Sequence, residues 1–91
     1  SSIPDKFSIS QNYPNPFNPY TIIKYSIPYS DIVNIKVFDI LGREVAVLLN
    51  EFKPAGTYSI EFNADRFASG VYFYQLNAGS YVETKKMILM K

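Results

Sequence analysis

Residues 33–39 read Val33-Asn34-Ile35-Lys36-Val37-Phe38-Asp39, the clearest strand signal in the chain. Valine and isoleucine alternate here with asparagine and lysine, so an extended chain has one apolar face and one polar face. Further stretches bounded by turn residues read as strands too: 7–11, 21–27, 43–49, 57–63, 71–77 and 81 to about 90. Seven short strands at this spacing, with no convincing helix, predict an all-β antiparallel sandwich.

The strand at 33–39 leads into a predicted turn and then into an ambiguous run. Residues 39–42 are typical of a type I hairpin turn, with Asp39 capping the turn and Gly42 in the left-handed region. Four apolar residues in and after the next run also fit the spacing of a helix: Val45, Leu48, Leu49 and Phe52. We predict a strand at 43–49, because a hairpin signal precedes it and the breaker Pro54-Ala55-Gly56 follows it.

The stretch at 71–77 differs from the others because both of its faces are apolar. Val71, Phe73 and Gln75 share one face, and Tyr72, Tyr74 and Leu76 share the other. This pattern indicates a central strand, or a strand whose outer face is covered by another part of the protein. Truncating Phe73, or Tyr25 in the stretch 21–27, is expected to cost ~3–5 kcal/mol if the ring is fully buried.

Composition limits the functions available to the chain. It has 91 residues, a net charge of +1, and neither cysteine nor histidine. The charge gives no attraction to nucleic acid, and the two absences exclude thiolate metal sites, cysteine nucleophiles and histidine bases. The carboxylates considered for catalysis are dispersed: Asp39, Glu44, Glu51, Glu61, Asp65 and Glu83. No two have the spacing of a catalytic pair, so we expect no enzymatic activity, no cofactor, no metal and no small-molecule substrate.

The limits of the folded unit are also predicted. Residues 1–6 are expected to be a linker remnant, and residues 7–91 a single domain. No apolar run approaches transmembrane length. The start at Ser1, without a charged and apolar leader, predicts a piece of a longer polypeptide that carries no signal peptide of its own.

Three prolines in seven residues define a fixed loop between the first two predicted strands, the proline loop: Tyr13-Pro14-Asn15-Pro16-Phe17-Asn18-Pro19. Prolines exclude a helix interior and an internal strand, and they favour extended conformations in the residues before them. We expect Tyr13 and Phe17 to anchor this loop to the core. The loop asparagines offer oxygens to calcium, but no carboxylate lies among them, so hydrogen bonds within the loop are favoured.

The tyrosines raise a different possibility, a carbohydrate-binding or adhesive module. Rings exposed together would form a platform that stacks on sugars: Tyr20, Tyr72, Tyr74 and Tyr81. The structural interpretation, which we favour, is that half of these rings fill the core and the rest cover sheet faces.

The last residues combine lysines with four consecutive apolar side chains: Thr84-Lys85-Lys86-Met87-Ile88-Leu89-Met90-Lys91. One interpretation is an edge strand whose lysines discourage unwanted pairing. The other is a strand displayed as a handle, which a receptor reads by edge pairing and by side-chain pockets. Physical reasoning from these residues does not choose between the two.

Five blocks in a fixed order resemble the type A C-terminal sorting domain of the type IX secretion system. They are residues 13–19, Ile23-Lys24-Tyr25-Ser26-Ile27-Pro28, Val37-Phe38-Asp39-Ile40-Leu41-Gly42-Arg43-Glu44-Val45, Ser69-Gly70-Val71-Tyr72-Phe73-Tyr74, and residues 84–91. The resemblance runs from about Phe7 to Lys91. Tyr20 departs from the family pattern, which has a small hydroxyl residue after the proline.

This resemblance implies an immunoglobulin-like β-sandwich without enzymatic activity, carried by a protein that passes through the periplasm to the cell surface or the extracellular space. The implied partners are an outer-membrane secretion translocon, a sortase-like peptidase and an N-terminal passenger domain. Cleavage is expected in or before residues 1–5. Carried over by position, translocon recognition would involve Gly70, Val71 and Tyr72, together with the terminal block of Lys85, Lys86, Met87, Ile88, Leu89, Met90 and Lys91.

Overall fold

The structure, a computed structural model, describes residues 3–91, which form seven antiparallel strands in two sheets. The strands are β1 (Ser8–Ile9), β2 (Tyr20–Ile27), β3 (Asp31–Phe38), β4 (Glu44–Lys53), β5 (Gly56–Asn63), β6 (Gly70–Ala78) and β7 (Tyr81–Leu89). One sheet has the order β1-β2-β5, and the other has the order β4-β3-β6-β7. This is the β-sandwich that the alternating sequence predicted.

The core lies between the two sheets, and four strands each contribute every second side chain to it. The core residues of β2, β3, β6 and β7 are Ile23, Tyr25, Ile27, Val33, Ile35, Val37, Tyr72, Tyr74, Leu76, Met87 and Leu89. In β2 and β3 the buried residues are those that the alternation placed inward. The alternation of apolar and polar residues is therefore enough to predict which face of each of these two strands is buried.

β6 is a central strand, as its two apolar faces indicated, because it pairs with β3 on one side and β7 on the other. Its inner face carries Tyr72 and Tyr74, whereas Phe73 points to the outer face and is only half-buried. The large cost expected for truncating a fully buried ring therefore does not apply to Phe73. It applies to Tyr25, which is 3% exposed. Apolar residues on both faces do not reveal which face the second sheet covers.

β4 shows why residues 43–49 also fitted a helix. Its register with β3 shifts once beyond Ile35 and once beyond Val37, and each shift leaves one extra residue on β4, first Leu48 and then Val45. Such an extra residue is a β-bulge, which bends the strand and interrupts its alternation. Two bulges in one strand therefore bring apolar residues at helix-like spacing against the same core. The prediction of a strand is confirmed, and it continues to Lys53.

The first strand is shorter than the predicted 7–11, since β1 contains only Ser8 and Ile9. The physical reason is Asn12, which is 2% exposed and whose backbone N–H donates to the Tyr74 hydroxyl across the core instead of to a neighbouring strand. Residues 3–6 contain no strand, and Ser1 and Ser2 of the predicted linker lie outside the described residues. Within residues 3–91 there is no apolar helix of membrane-spanning length.

The start of β6 is fixed by Tyr72, the third residue of the strand. The Tyr72 hydroxyl donates a 2.7 Å hydrogen bond to the carbonyl of Ala68, four residues earlier. This arrangement corresponds to the tyrosine corner of immunoglobulin-like sandwiches, which ties a strand to the loop before it. It holds Gly70, the first residue of β6, in a defined position.

Candidate recognition surface

The residues proposed for recognition come from two separate blocks of sequence, and the structure pairs them. Gly70 lies opposite Leu89, Val71 opposite Ile88, and Tyr72 opposite Met87 in the antiparallel ladder of β6 and β7. The start of β6 and the end of β7 therefore form one continuous region at one end of the four-stranded sheet.

Pairing divides this region into a buried side and an accessible side. Met87 and Leu89 point into the sandwich and are 0% and 1% exposed, so they are core residues. Val71 and Ile88 lie on the outer face, where both are half-buried, and Met90 is 59% exposed. Only the outer residues are available to a partner while the domain is folded. The sequence did not distinguish the two sides, because four consecutive apolar residues contain no alternation.

The proline loop lies against the outer edge of β7. Phe17 N–H donates to the carbonyl of Ile88, and Met90 N–H donates to the carbonyl of Phe17, both at 3.0 Å. Asn15 Oδ1 accepts a hydrogen bond from Ile88 N–H at 2.9 Å, and Gln11 Nε2 donates to the carbonyl of Lys86 at 2.7 Å. The edge of the terminal block is thus occupied from Lys86 to Met90. Sequence analysis missed this contact, because no local signal says which strand a loop will pair with.

Phe17 anchors the proline loop, but Tyr13 does not. The Phe17 ring is 2% exposed and lies 6.0 Å from the ring of Phe62, whereas Tyr13 is 81% exposed. The backbone of Tyr13 pairs with Ile22 on the three-stranded sheet, which turns its side chain away from the core. The expectation that both rings anchor the loop is therefore wrong for Tyr13.

A buried polar network holds the start of the loop. Asn12 Nδ2 donates to the carbonyl of Pro14 and to the Thr21 hydroxyl, and that hydroxyl donates to the same carbonyl. The Tyr74 hydroxyl donates to the carbonyl of Ser10 at 2.7 Å and accepts from Asn12 N–H at 2.8 Å. Burial raises the pKa of Tyr74 to about 12. These bonds satisfy polar groups that would otherwise be costly inside the domain.

The remaining edge of β7 carries charged side chains. Glu83 and Lys85 alternate with the buried Met87, so they point toward the inner side, where their charges lie 3.4 Å apart. The Tyr81 hydroxyl also donates to Glu83, and this bond keeps the pKa of the Glu83 carboxyl below its usual value. Inward-pointing charges on an edge strand discourage pairing with another chain. Together with the proline loop, they make the edge of β7 a protected one.

The terminal lysine is held in place as well. Lys91 N–H donates to Ser69 Oγ at 3.0 Å, and its Nζ donates to the carbonyl of Asp65 at 2.5 Å. Lys86, by contrast, is exposed on the outer side and forms no ion pair within residues 3–91. Lys86 is therefore the lysine of the block whose ammonium group has neither an ion-pair nor a hydrogen-bond partner in the described part of the chain.

The turn that follows β3 is organised around Asp39. Its carboxylate accepts from the backbone N–H groups of Leu41 and Arg43 and from Arg43 Nε, at 2.8–2.9 Å. The N–H of Gly42, which has a φ of +82°, donates to the Asp39 carbonyl. The bond from the Arg43 backbone, followed by its guanidinium and the Leu41 N–H, lowers the pKa of Asp39.

The tyrosine platform, which was the alternative interpretation, does not form, and two of the four rings fill the core as favoured. Tyr72 and Tyr74 are 9% and 0% exposed inside the sandwich, and Tyr81 is stacked on Phe7 with ring centroids 5.0 Å apart. Tyr20 is half-exposed, but it lies on the other sheet. Within the described part of the chain, no three acidic side chains come together to hold a metal ion.

Comparison with known proteins agrees with this architecture. The family model described as the secretion system C-terminal sorting domain matches residues 11–90. Among solved structures, the chain is similar to PorZ of Porphyromonas gingivalis, described as an essential bacterial surface component of the type-IX secretion system. The identity is 19%, the TM-score is 0.57, and the match covers 96% of this chain but 12% of that one, so this likeness shows the fold alone. No curated protein matches the chain.

Proposed function

Because the chain belongs to the family of secretion system C-terminal sorting domains, which are non-catalytic signals for secretion across the outer membrane, we propose which surface of this domain is read. The surface is formed by Gly70 and Val71 at the start of β6 and by the terminal block at the end of β7. The reader is an outer-membrane secretion translocon, and the cargo is a passenger domain N-terminal to the described residues.

The observation that carries this proposal is the pairing of the two blocks. Gly70 opposite Leu89 and Val71 opposite Ile88 turn two distant stretches of sequence into one outer surface. On that surface, half-buried aliphatic side chains lie beside the exposed Met90 and the unpaired Lys86. An apolar centre with a polar rim is the usual composition of a protein-binding site.

The covered edge of β7 defines how recognition takes place. Since Asn15 and Phe17 already bond the backbone of Ile88 and Met90, a partner cannot add a strand there while the domain remains folded. The translocon accordingly recognises side chains on the outer face. Strand addition, the handle interpretation of the terminal block, does not apply to Lys86–Met90 in the folded domain.

A sortase-like peptidase then separates the passenger from the domain. Residues 3–6 contain no strand, and Ile3 is 65% exposed, so a protease can approach this segment without unfolding the sandwich. We propose that cleavage takes place in or before residues 1–5, after which the passenger stays at the cell surface or enters the medium. Sequencing the N-terminus of the released domain locates the cut.

The test is a reporter carrying a signal peptide, fused to this domain and expressed in a bacterium that has the system. Deletion of residues 85–91 is expected to leave the reporter in the periplasm. Because this deletion also removes the core residues Met87 and Leu89, a second variant, Val71→Thr with Ile88→Thr, changes only the outer face while keeping β-branched residues. We expect its surface delivery to fall about tenfold or more, as expected when two buried aliphatic contacts become polar.

The matched control is Ile32→Thr with Val82→Thr, at the far end of the same outer face, where both residues are 55% exposed. It is expected to deliver the reporter normally. Thermal melting of each purified domain establishes that the variants are folded. Normal delivery after the deletion would refute the sorting role. Normal delivery by the folded Val71/Ile88 variant would refute the proposal that this surface is recognised.

A further inference from the structure

Two large aliphatic side chains are exposed at the tip of the hairpin between β3 and β4. Ile40 is 70% exposed and Leu41 is 73% exposed. Turns of this kind normally carry Gly, Asn, Asp, Ser or Pro at their centre, because these residues suit the backbone and solvent. Neither Ile40 nor Leu41 is explained by the folding of the turn, which depends on Asp39, Gly42 and Arg43.

The turn holds the backbone of these two residues in a fixed position. Asp39 Oδ1 accepts hydrogen bonds from Leu41 N–H and Arg43 N–H, each at 2.9 Å, and Asp39 Oδ2 lies 2.8 Å from Arg43 Nε. Backbone bonds between Asp39 and Arg43 and between Gly42 and Asp39 close the loop. Exposed aliphatic groups on an ordered backbone lose less entropy on binding than those on a mobile loop.

Beside them is a cleft of about 360 Å³ between this turn and the start of β6. Its wall includes Ile40, Leu41, Ser69, Gly70 and Val71. A Cβ built on Gly70 would have no heavy atom within 4 Å, so the packing of the domain itself leaves open space above this backbone. The charged groups of the lining, Asp39 and Arg43, are paired with each other. The cleft therefore suits an apolar group rather than an ion.

The cleft is continuous with the surface assigned to recognition. Gly70 and Val71, in its wall, are the ladder partners of Leu89 and Ile88 in the terminal block. Ser69, also in the wall, accepts the hydrogen bond of Lys91 N–H. A partner that contacts the outer face at Ile88 would have the cleft within reach. Family membership supplies such a partner, since a sorting domain has to contact the secretion machinery.

We propose that this cleft, walled by Ile40 and Leu41, receives an apolar anchor side chain from the same protein component of the secretion machinery that reads the terminal block. This inference rests on the proposed sorting function and adds a second contact to it. The occupant is an aliphatic or aromatic side chain, because Ile40, Leu41 and Val71 form the apolar part of the wall and its two charged groups are paired with each other. The turn would thus serve in recognition as well as in folding.

The experiment uses the same reporter fusion with Ile40→Ser and Leu41→Ser, which leave Asp39, Gly42 and Arg43 in place. Surface delivery is expected to fall about tenfold or more, because two aliphatic contacts are lost. The melting temperature of the purified domain should stay close to that of the unaltered chain, since both side chains are exposed. The control Ile32→Thr with Val82→Thr removes comparable exposed groups away from the cleft.

Each outcome separates the two proposals. If the Ile40/Leu41 variant is delivered normally while deletion of 85–91 blocks delivery, the cleft proposal is wrong and the sorting proposal stands. If neither change affects delivery, the sorting proposal is wrong as well. An equal loss of surface delivery in the control variant would show a general effect of surface polarity. It would overturn the cleft proposal. Sedimentation showing a dimer that Ile40→Ser and Leu41→Ser dissociate would assign the cleft to self-association and would also overturn it.

Discussion

The backbone N–H of Phe17 donates a 3.0 Å hydrogen bond to the carbonyl of Ile88, which joins the proline loop to the last strand of the sandwich. The bridge between Phe17 and Leu89 is parallel, unlike every ladder within the two sheets. The segment from Ser8 to Phe17 thus leaves one sheet at β1 and reaches the other at β7. It closes the side of the sandwich where the edges of the two sheets would otherwise be open.

Replacing Phe17 by Ala should destabilise the domain by about 3–5 kcal/mol, because it empties a fully buried site beside Phe62. Chemical denaturation gives the free energy of unfolding. Tyr13→Ala is the matched control at the other end of the same loop, and its 81% exposed ring predicts a change within about 0.5 kcal/mol. Similar losses in both variants would contradict the assignment of Phe17 as the anchor.

Asn15→Ala should loosen the edge of β7 by removing the acceptor of Ile88 N–H. The loss in stability is expected to be about 1 kcal/mol, as for a typical hydrogen bond. Hydrogen exchange supplies the specific measurement: the Ile88 amide should exchange faster, while amides in β3 keep their protection. Asn18→Ala, in the same loop, removes an exposed amide and should leave the Ile88 amide unchanged. Unaltered Ile88 exchange in the Asn15 variant would rule out this role.

Alkaline pH should destabilise the domain through three tyrosines that are wholly or partly buried. Burial is the main reason that the pKa values of Tyr25, Tyr74 and Tyr81 are raised to about 12, from 10.0 in the absence of the fold. Because the folded state then holds protons that the unfolded state has lost, their contribution is complete below pH 10 and is lost between about pH 10 and 12. Denaturation across this range should show that decline.

A variant isolates the contribution of one hydroxyl. Tyr74→Phe removes the bonds to Ser10 and Asn12, so it should cost about 1–3 kcal/mol at neutral pH. It should also make the alkaline decline shallower. Tyr13→Phe, at an exposed ring, should leave the stability at neutral pH unchanged. An identical alkaline profile for Tyr74→Phe would show that Tyr74 does not contribute to the pH dependence.

Gly42→Val should destabilise the hairpin between β3 and β4. With a φ of +82°, Gly42 adopts a conformation that is costly for residues with a Cβ, by about 1–2 kcal/mol, and more so for a β-branched one. No heavy atom lies within 4 Å of a Cβ placed there, so the cause is backbone strain rather than a clash. Gly42→Asn is the control, because asparagine tolerates positive φ, and its melting temperature should fall less. Equal melting temperatures for the two variants would contradict this explanation.

The order and inward faces of the strands were largely predictable because alternation is a local property. Ile23, Tyr25 and Ile27 repeat every second residue, and so do the buried residues of β3. Prediction failed where geometry depends on a neighbour. The bulges at Val45 and Leu48 exist only relative to β3, and the inward face of β6 is set by the second sheet rather than by Phe73 or Tyr72 themselves.

The candidate surface was predicted less completely. Its residues were named from the resemblance of the chain to a family. Which of them lie in the core and which on the surface was not predicted, since Met87 and Ile88 are equally apolar in sequence. The cleft beside Ile40 and Leu41 was missed altogether. The sequence signal for the cleft was a pair of aliphatic residues at the tip of a turn, but residues 39–42 were interpreted only as a turn.

The contact between Phe17 and Ile88 also bears on the order of synthesis. The proline loop leaves the ribosome early, but the carbonyl that receives the Phe17 N–H is made only with β7. Until then Phe17 has no backbone partner, and the edge of β6 is bare. A chain that stops before Ile88 therefore lacks both the recognition surface and the contact that closes the sandwich. Incomplete copies should therefore fold poorly and should not be delivered across the outer membrane.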